Sequence, residues 1–161
     1  MYRAGVVLAA LFFGWMLPGQ LQAQNVERIT EEIRAAVHSD YDYVKENLED
    51  KPDTFSEEGS VEFWSSGGLI NVVPPDVALR SYESFNLSPK HIHVIPITDE
   101  VAVAQFYVEG SYQEVGLPPV NHYLTRATQV FVREDGEWKI RAAHWSPVTG
   151  GSGTHQTAIV M

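Results

Sequence analysis

The chain has 161 residues, of which 44% are hydrophobic and 20% are charged, and it contains no cysteine. This length and composition fit one globular domain with its own core, and they exclude a disordered chain or a repeat protein. The formal net charge of −10 disfavours nucleic acid and anionic lipid headgroups as partners, because both carry charge of the same sign. Without cysteine the fold has no disulfide bond and depends on its core alone.

The amino-terminal residues have the pattern of an export signal. Arg3 gives a short positive start, residues 4–17 form an apolar run, and residues 18–23 look like a polar cleavage region. Because the apolar run is short for a membrane span, the pattern favours a signal peptide over residues 1–23.

Cleavage is predicted after Ala23, which leaves a mature domain over residues 24–148 and a Gly- and Ser-rich tail over residues 149–161. Leu21 is larger than the residue usually found at its position before a cleavage site, so an uncleaved anchor stays open as an alternative. The sequence therefore predicts a secreted or periplasmic protein of bacterial type that has no membrane contact once the signal is removed.

The mature chain is predicted to begin with a long helix from Asn25 to about residue 49. Apolar residues recur at intervals of three and four and form a stripe along one face: Ile29, Ile33, Val37, Tyr41, Val44 and Leu48. Asn25 is a suitable residue for the helix cap. Asp40 lies at the edge of the stripe, where its carboxylate either faces solvent or reaches into a cavity.

The segment that follows the helix is rich in turns. Residues 51–59 form a polar connector, and residues 61–69 combine large aromatic residues with a pair of glycines, which places Trp64 over the mouth or floor of the core. Ser65 lacks the Gly-x-Ser-x-Gly pattern of a nucleophile. Residues 77–85, after two prolines, are predicted to form a short helix.

The remaining residues have the pattern of four strands joined by short connections. These strands are predicted at residues 89–97, 101–113, 122–133 and 137–148. The last two flank Asp135-Gly136, a pair favoured in hairpin turns. Consecutive strands with short connections form an antiparallel meander, and a helix that covers one face gives an α+β fold.

The last hairpin also carries a family pattern. Its parts are Arg126-x-Thr128-x-Val130-Phe131, Asp135-Gly136-x-Trp138-Lys139-Ile140 and a closing His144-x-Ser146. This pattern resembles the SnoaL-like branch of the nuclear transport factor 2-like superfamily, which includes ketosteroid isomerase-like proteins and the association (hub) domain of calcium/calmodulin-dependent protein kinase II. The resemblance implies a cone-shaped α+β barrel, in which the long helix packs in the concave face of a strongly bent antiparallel sheet. It says almost nothing of activity, because the superfamily includes enzymes, transport factors and association modules.

A ligand site is predicted around Arg126 and His144. Alternation along a strand puts Arg126 on one side of its strand, and His144 and Ser146 on one side of the next. If both of these strand sides face the interior, the Arg126 guanidinium is buried and needs an anionic partner such as a carboxylate. The alternative is that Arg126 is exposed and forms an ion pair on the surface. The resemblance implies that residues near the closing His-x-Ser line a cavity and that the first helix contributes a tyrosine.

The predicted ligand-binding residues are Trp64, Tyr82, Arg126, His144, Ser146 and Tyr41. The cavity arginines of the kinase hub align with Gln129 and Trp145, so the ligand chemistry of the hub is not expected here.

No metal site or cofactor is predicted. Four histidines lie on the predicted strands, but no cysteine or carboxylate completes a known ligand spacing: His91, His93, His122 and His144. Acid–base catalysis needs a positioned carboxylate, and only Glu109, Glu114 and Asp40 are placed to enter a cavity. The catalytic residues are therefore unknown, and enzymatic activity stays open.

Two functions from different classes remain. The first is binding of a small, anionic or polar organic molecule in the cone, with or without weak isomerase-, cyclase- or hydrolase-like chemistry. The second is a structural module that associates as a homodimer through its sheet. The second is favoured by Phe106, Phe131 and Trp145 if these aromatic residues lie on an uncovered sheet face.

Overall fold

One long helix, α1, precedes six strands in the structure, which is a computed structural model and describes residues 18–148. The elements are α1 Pro18–Asn47, β1 Ser60–Phe63, β2 Asn71–Val73, β3 Tyr82–Pro96, β4 Val101–Glu114, β5 Val120–Glu134 and β6 Glu137–Pro147. Most of the predicted signal peptide and all of the predicted tail lie outside the described residues. Within residues 18–148, no helix combines the length and the apolar character that a membrane crossing requires.

Helix α1 confirms the predicted stripe, but its start differs from the prediction. Ile29, Ile33 and Val37 are buried against the sheet. The helix already includes Pro18, the first described residue, so Asn25 is not its cap; the Asn25 side chain instead donates a hydrogen bond to Asp99 in the β3–β4 turn.

The six strands form one sheet in the order β2-β1-β6-β5-β4-β3. Strands β3 to β6 are the predicted antiparallel meander, and together with α1 they confirm the α+β class. Strands β1 and β2 were not predicted. They extend the sheet beyond β6, with β1 parallel to β6 and antiparallel to β2.

The predicted short helix over residues 77–85 is wrong. Strand β3 begins at Tyr82, whose N–H donates to the carbonyl oxygen of Leu48 at 2.8 Å. Phe85 lies opposite Tyr112 on β4. Pairing with a neighbouring strand therefore decides the conformation of this segment, because it satisfies backbone groups that a short isolated helix would leave exposed.

The turn between β5 and β6 confirms the hairpin prediction. Asp135 has φ = 50° and Gly136 has φ = 86°, so both residues of the connection are left-handed. This conformation matches the twist of the flanking strands and is the reason that Asp-Gly is favoured there.

The sheet has an inner face toward α1 and an open outer face. On β5, the buried residues Thr125, Ala127, Gln129 and Phe131 alternate with exposed or partly exposed ones. Ala127 and Phe131 pack in the same core as α1, which defines their side as the inner face. Arg126 and the alternate residues that follow it therefore lie on the outer face.

A β-bulge in β6 changes which of its residues face inward. Val130 pairs with Ala142 but Phe131 pairs with Ile140, so Arg141 is an extra residue on β6. In a regular strand, residues two positions apart lie on the same face. Because of the bulge, Ile140 packs in the core whereas Ala142 lies on the outer face. Beyond the bulge, Ala143 and Trp145 face inward, and His144 faces outward.

The aromatic residues that were expected on an uncovered face lie in the interior. Phe106 and Phe131 are buried in the core with α1. The Trp145 ring packs edge-on against Phe106, with centroids 6.0 Å apart. The prediction of an open aromatic sheet face is therefore wrong, because the alternation places these rings on the inner side.

Candidate functional site

The structure does not place Arg126 and His144 in a shared cavity with Trp64. Arg126 is exposed on the outer face and donates to the carbonyl oxygen of Pro147 at 3.1 Å. His144 is exposed on the same face, where its ring lies 5.6 Å from the Phe63 ring. Ser146 pairs with Arg126 on this outer side. The predicted placement is wrong because the opposite set of alternating residues faces α1.

The other three predicted residues lie nearer the interior. The Tyr82 hydroxyl donates to Asp50 at 2.7 Å, and its ring packs against Phe85 at 5.1 Å. Tyr41 approaches the same Phe85 ring at 6.3 Å. The structure thus brings Tyr41 and Tyr82 together, while Trp64 is half exposed at the end of β1. The part that each plays in ligand binding stays a prediction.

Several polar side chains lie on the inner face where apolar packing is the rule. We call Tyr41, Glu62, Tyr123, Thr125 and Gln129 the inner polar cluster. Glu62 on β1 and Gln129 on β5 each pair with Ala143, which lies between them on β6. Their Cα atoms are therefore roughly 10 Å apart, twice the strand spacing, with the small Ala143 side chain between them.

Glu62 is a buried carboxylate with only 7% of its surface exposed. It accepts hydrogen bonds from the Ser60 hydroxyl at 2.9 Å and from the Trp64 indole at 2.8 Å. A carboxylate has about four acceptor positions, so two such bonds leave Glu62 able to accept more. Glu62 is therefore a buried carboxylate on the inner face that has hydrogen-bond acceptor positions left for a further donor.

Thr125 and Gln129 are buried on β5 without polar partners among residues 18–148. The Thr125 hydroxyl is fully buried and unpaired, and the residue is 3% exposed. Gln129 is 6% exposed, and its amide makes no hydrogen bond to another described side chain or backbone group. Leaving a buried polar group unsatisfied costs roughly 1–3 kcal/mol, so the fully buried Thr125 hydroxyl calls for an explanation.

Tyrosine hydroxyls complete the cluster near the C-terminal half of α1. Tyr123 and Ser65 share a hydrogen bond of 3.0 Å, and the Tyr123 ring packs against Tyr112 at 5.5 Å. Burial raises the pKa of Tyr41, and the nearby Tyr123 and Asp40 raise it further. Tyr41 therefore stays protonated and is available as a hydrogen-bond donor.

The carboxylates that were expected to enter a cavity do not join this cluster. Glu109 is exposed and pairs with Lys90 at 3.7 Å, and Glu114 lies 3.7 Å from Arg80. Asp40 pairs with Lys51 at 3.0 Å; burial raises the pKa of Asp40, and the Lys51 ammonium opposes that rise.

Glu62 is the residue that sequence reasoning missed. The alternation in Ser60-Val61-Glu62-Phe63 is the signal that could have revealed it, since it places Ser60 and Glu62 on one strand face. Over residues 18–148, no group of three or more histidine, aspartate or glutamate side chains is arranged to hold a metal ion.

Comparison with known proteins agrees with the fold. No protein-family model matches the sequence, and no curated protein is significantly similar to it. A similar solved structure is an NTF2-like protein of unknown function from Prochlorococcus sp. NATL2A, with 16% identity, a TM-score of 0.50, and coverage of 75% of this chain and 94% of that one.

A candidate scytalone dehydratase from Novosphingobium aromaticivorans is also similar, with 11% identity, a TM-score of 0.51, and coverage of 83% of this chain and 97% of that one. An uncharacterised protein with a cystatin-like fold from Caulobacter vibrioides has 14% identity, a TM-score of 0.50, and coverage of 74% and 89%. The chain therefore has the nuclear transport factor 2-like fold, a cone of one long helix on a bent sheet, as the sequence resemblance implied. At these identities the similarity concerns the fold alone.

Proposed function

We propose that the chain binds a small polar organic molecule inside the cone, at the inner polar cluster. The observation that carries this proposal is the buried, unpaired Thr125 hydroxyl, which lies on the same sheet face as the buried side chains of Gln129 and Glu62. A bound molecule with a matching polar group would satisfy the Thr125 hydroxyl and remove its desolvation cost, and Gln129 and Glu62 offer further hydrogen-bonding positions on the same face.

The composition of the cluster indicates the kind of molecule. It contains one carboxylate, an amide and three hydroxyl groups, and none of its members is a lysine or an arginine. Glu62 repels an anion, so a neutral polyhydroxylated or amine-bearing molecule fits better than the carboxylate that was predicted from Arg126. Trp64 and Ser65 are hydrogen-bonded to Glu62 and Tyr123, so this segment borders the cluster on the β1 side.

A thermal-shift screen tests this site with two panels, one of small polyols and amines and one of small carboxylic acids. We expect stabilisation by members of the first panel. Glu62→Gln should weaken their binding about tenfold to a hundredfold, because hydrogen bonds to a buried charge contribute roughly 1.5–3 kcal/mol. Gln129→Leu should weaken it by about twofold to tenfold, since an uncharged hydrogen bond contributes roughly 0.5–1.5 kcal/mol.

Arg126→Met is the matched control, because Arg126 lies on the same strand but on the outer face, and this variant should bind like the wild type. Hits that lose affinity in Arg126→Met but not in Glu62→Gln would contradict the proposal and restore the outer-face site.

Isomerase- or cyclase-type chemistry is the alternative activity of the inner polar cluster. It would use Glu62 as the base, so Glu62→Gln would abolish turnover of any molecule that reacts.

A second candidate function is self-association through the outer face of the sheet. One row of paired residues crosses all six strands on this face and is apolar throughout: Ile95, Val103, Val130, Ala142, Val61 and Val72. Val72 is 75% exposed, and no helix of the described chain covers the row. Burying such a stripe against a second copy is favourable, which supports a homodimer.

Light scattering tests the homodimer with a charge placed in the middle of the row. The wild type is expected to be a dimer at micromolar concentration, and Val130→Glu is expected to be a monomer that remains folded. His38→Glu, which adds the same charge on the exposed side of α1, should remain dimeric. A monomeric wild type would exclude this candidate.

We also propose that the protein is exported and that residues 1–23 are removed. The support is the positive start and the short apolar run at the amino terminus. Protein recovered from an exporting bacterial host should have an intact mass that starts at Gln24. Recovery of the uncleaved chain in the membrane fraction would show an anchor instead.

A further inference from the structure

A separate cleft of about 660 Å³ lies between α1, the connector after it and the β5–β6 turn. Its apolar wall consists of Ala35 and Ala36 from α1, Pro52 from the connector and Trp138 from β6. Two successive small residues on the helix leave the Trp138 ring accessible from the cleft. None of the inner polar cluster lines this space, so it is a different site from the one proposed above.

The Trp138 ring is fixed in position by its neighbours. The Arg133 guanidinium carbon lies 4.4 Å from the ring centroid, and the indole N–H donates to Glu32 at 3.0 Å. Glu32 also accepts hydrogen bonds from Arg133 and Arg28. Burial disfavours the ionised form of Glu32, but the bonds from Trp138, Arg28 and Arg133 outweigh it and lower its pKa. The Glu32 carboxylate is therefore ionised and already has partners.

The cleft lining contains two ammonium groups with unused donors, Lys51 and Lys139, together with the carboxylates of Asp53 and Glu137. Lys51 donates to Ser39 at 3.3 Å and to Asp40 at 3.0 Å, and an ammonium has three N–H donors, so about one is unused. Lys139 donates to the Asp53 carbonyl oxygen at 2.8 Å and to Glu137 at 2.7 Å, which also leaves about one of its three N–H donors unused. Two unused ammonium N–H donors beside an aromatic wall suit a ligand that carries both a negatively charged hydrogen-bond acceptor and a ring.

We propose that this cleft binds a small aromatic carboxylate, with its ring against Trp138 and its carboxylate between Lys51 and Lys139. Glu137 is the competing anion, because it is largely exposed and occupies one donor of Lys139. The ligand carboxylate displaces Glu137 into solvent, and the partly buried Asp40 keeps its contact with Lys51. Occupancy of the site therefore depends on the outcome of this competition between two carboxylates for one ammonium.

Benzoate is the probe, and benzamide is its uncharged control of the same shape. Binding is followed by the Trp138 indole resonance in two-dimensional NMR spectra of the full chain. Benzoate is expected to shift this resonance saturably in the millimolar range, and benzamide is expected to bind at least about tenfold more weakly because it lacks the charge. Equal binding of the two compounds, or no saturable shift with benzoate, would overturn the proposal.

Four variants separate this cleft from the cone. Lys51→Met and Lys139→Met should each weaken benzoate binding by about tenfold, while Glu137→Gln should tighten it by about threefold through loss of the competing charge. Gln129→Leu should leave it unchanged, because Gln129 belongs to the inner polar cluster. Glu137 is exposed, so its replacement does not threaten folding. An unchanged or weaker affinity of Glu137→Gln for benzoate would contradict the proposed competition. Loss of benzoate binding in Gln129→Leu alone would place the anion in the cone and overturn the proposal.

Discussion

Gly110→Ala is expected to lower the free energy of unfolding by at least about 3 kcal/mol, the sum of backbone strain and overpacking. Gly110 on β4 has φ = 139°, a conformation that other residues adopt rarely. A Cβ at this position would lie 2.0 Å from the carbonyl oxygen of Asn86 on β3, so the backbone of one strand would have to move. Chemical denaturation followed by circular dichroism measures the loss.

Gly116→Ala is the matched control. Gly116 also has positive φ, 78°, but a Cβ there meets nothing within 4 Å. Its replacement should therefore cost only the strain of the left-handed conformation, about 1 kcal/mol. An equal loss of unfolding free energy in the two variants would contradict the close approach of β3 and β4 at Gly110.

Phe131→Ala is expected to destabilise the fold by about 3–5 kcal/mol, the usual cost of removing a buried aromatic ring from a core. The Phe131 side chain is 1% exposed and packs between the sheet and α1. Arg126→Ala on the same strand should cost less than about 0.5 kcal/mol, because Arg126 lies on the open face. Thermal and urea unfolding of both variants measures the difference.

The comparison of these two variants decides which side of β5 faces the helix. If Arg126→Ala proved the more damaging change, the faces assigned to the sheet would be reversed, and the inner polar cluster would lie in solvent. The same result would return Arg126 and His144 to the interior, where sequence reasoning placed them.

The helix and the four long strands were predictable because their apolar residues repeat with the periods of those structures. Which side of β5 faces inward was not predictable, because each of the two sets of alternating residues on this strand contains both polar and apolar side chains. Gln129 belongs to the inner set although it is polar, and Val130 belongs to the outer set although it is apolar. The extra residue Arg141 then shifts the alternation within β6, and no sequence signal marks that bulge.

The inner polar cluster escaped prediction for a related reason. Its carboxylate, Glu62, lies on a strand of four residues whose partner strand is distant in the sequence. Short strands give a weak periodic signal, and the glycines after Trp64 made the whole segment look like a turn. Thr125 and Gln129 lie on a strand that was predicted, but only the packing around them shows that both are buried and that the Thr125 hydroxyl has no partner.

The parallel pairing of β1 with β6 has a consequence for the order of folding. Val61 lies opposite Ala142, so the two strands meet across roughly 80 residues, a loop whose closure is entropically slow. Strands β3, β4 and β5 pair through local connections, which close faster. Glu62 and Trp64 reach their final positions only when β1 pairs with residues 142–144, so the interior site is completed late in folding.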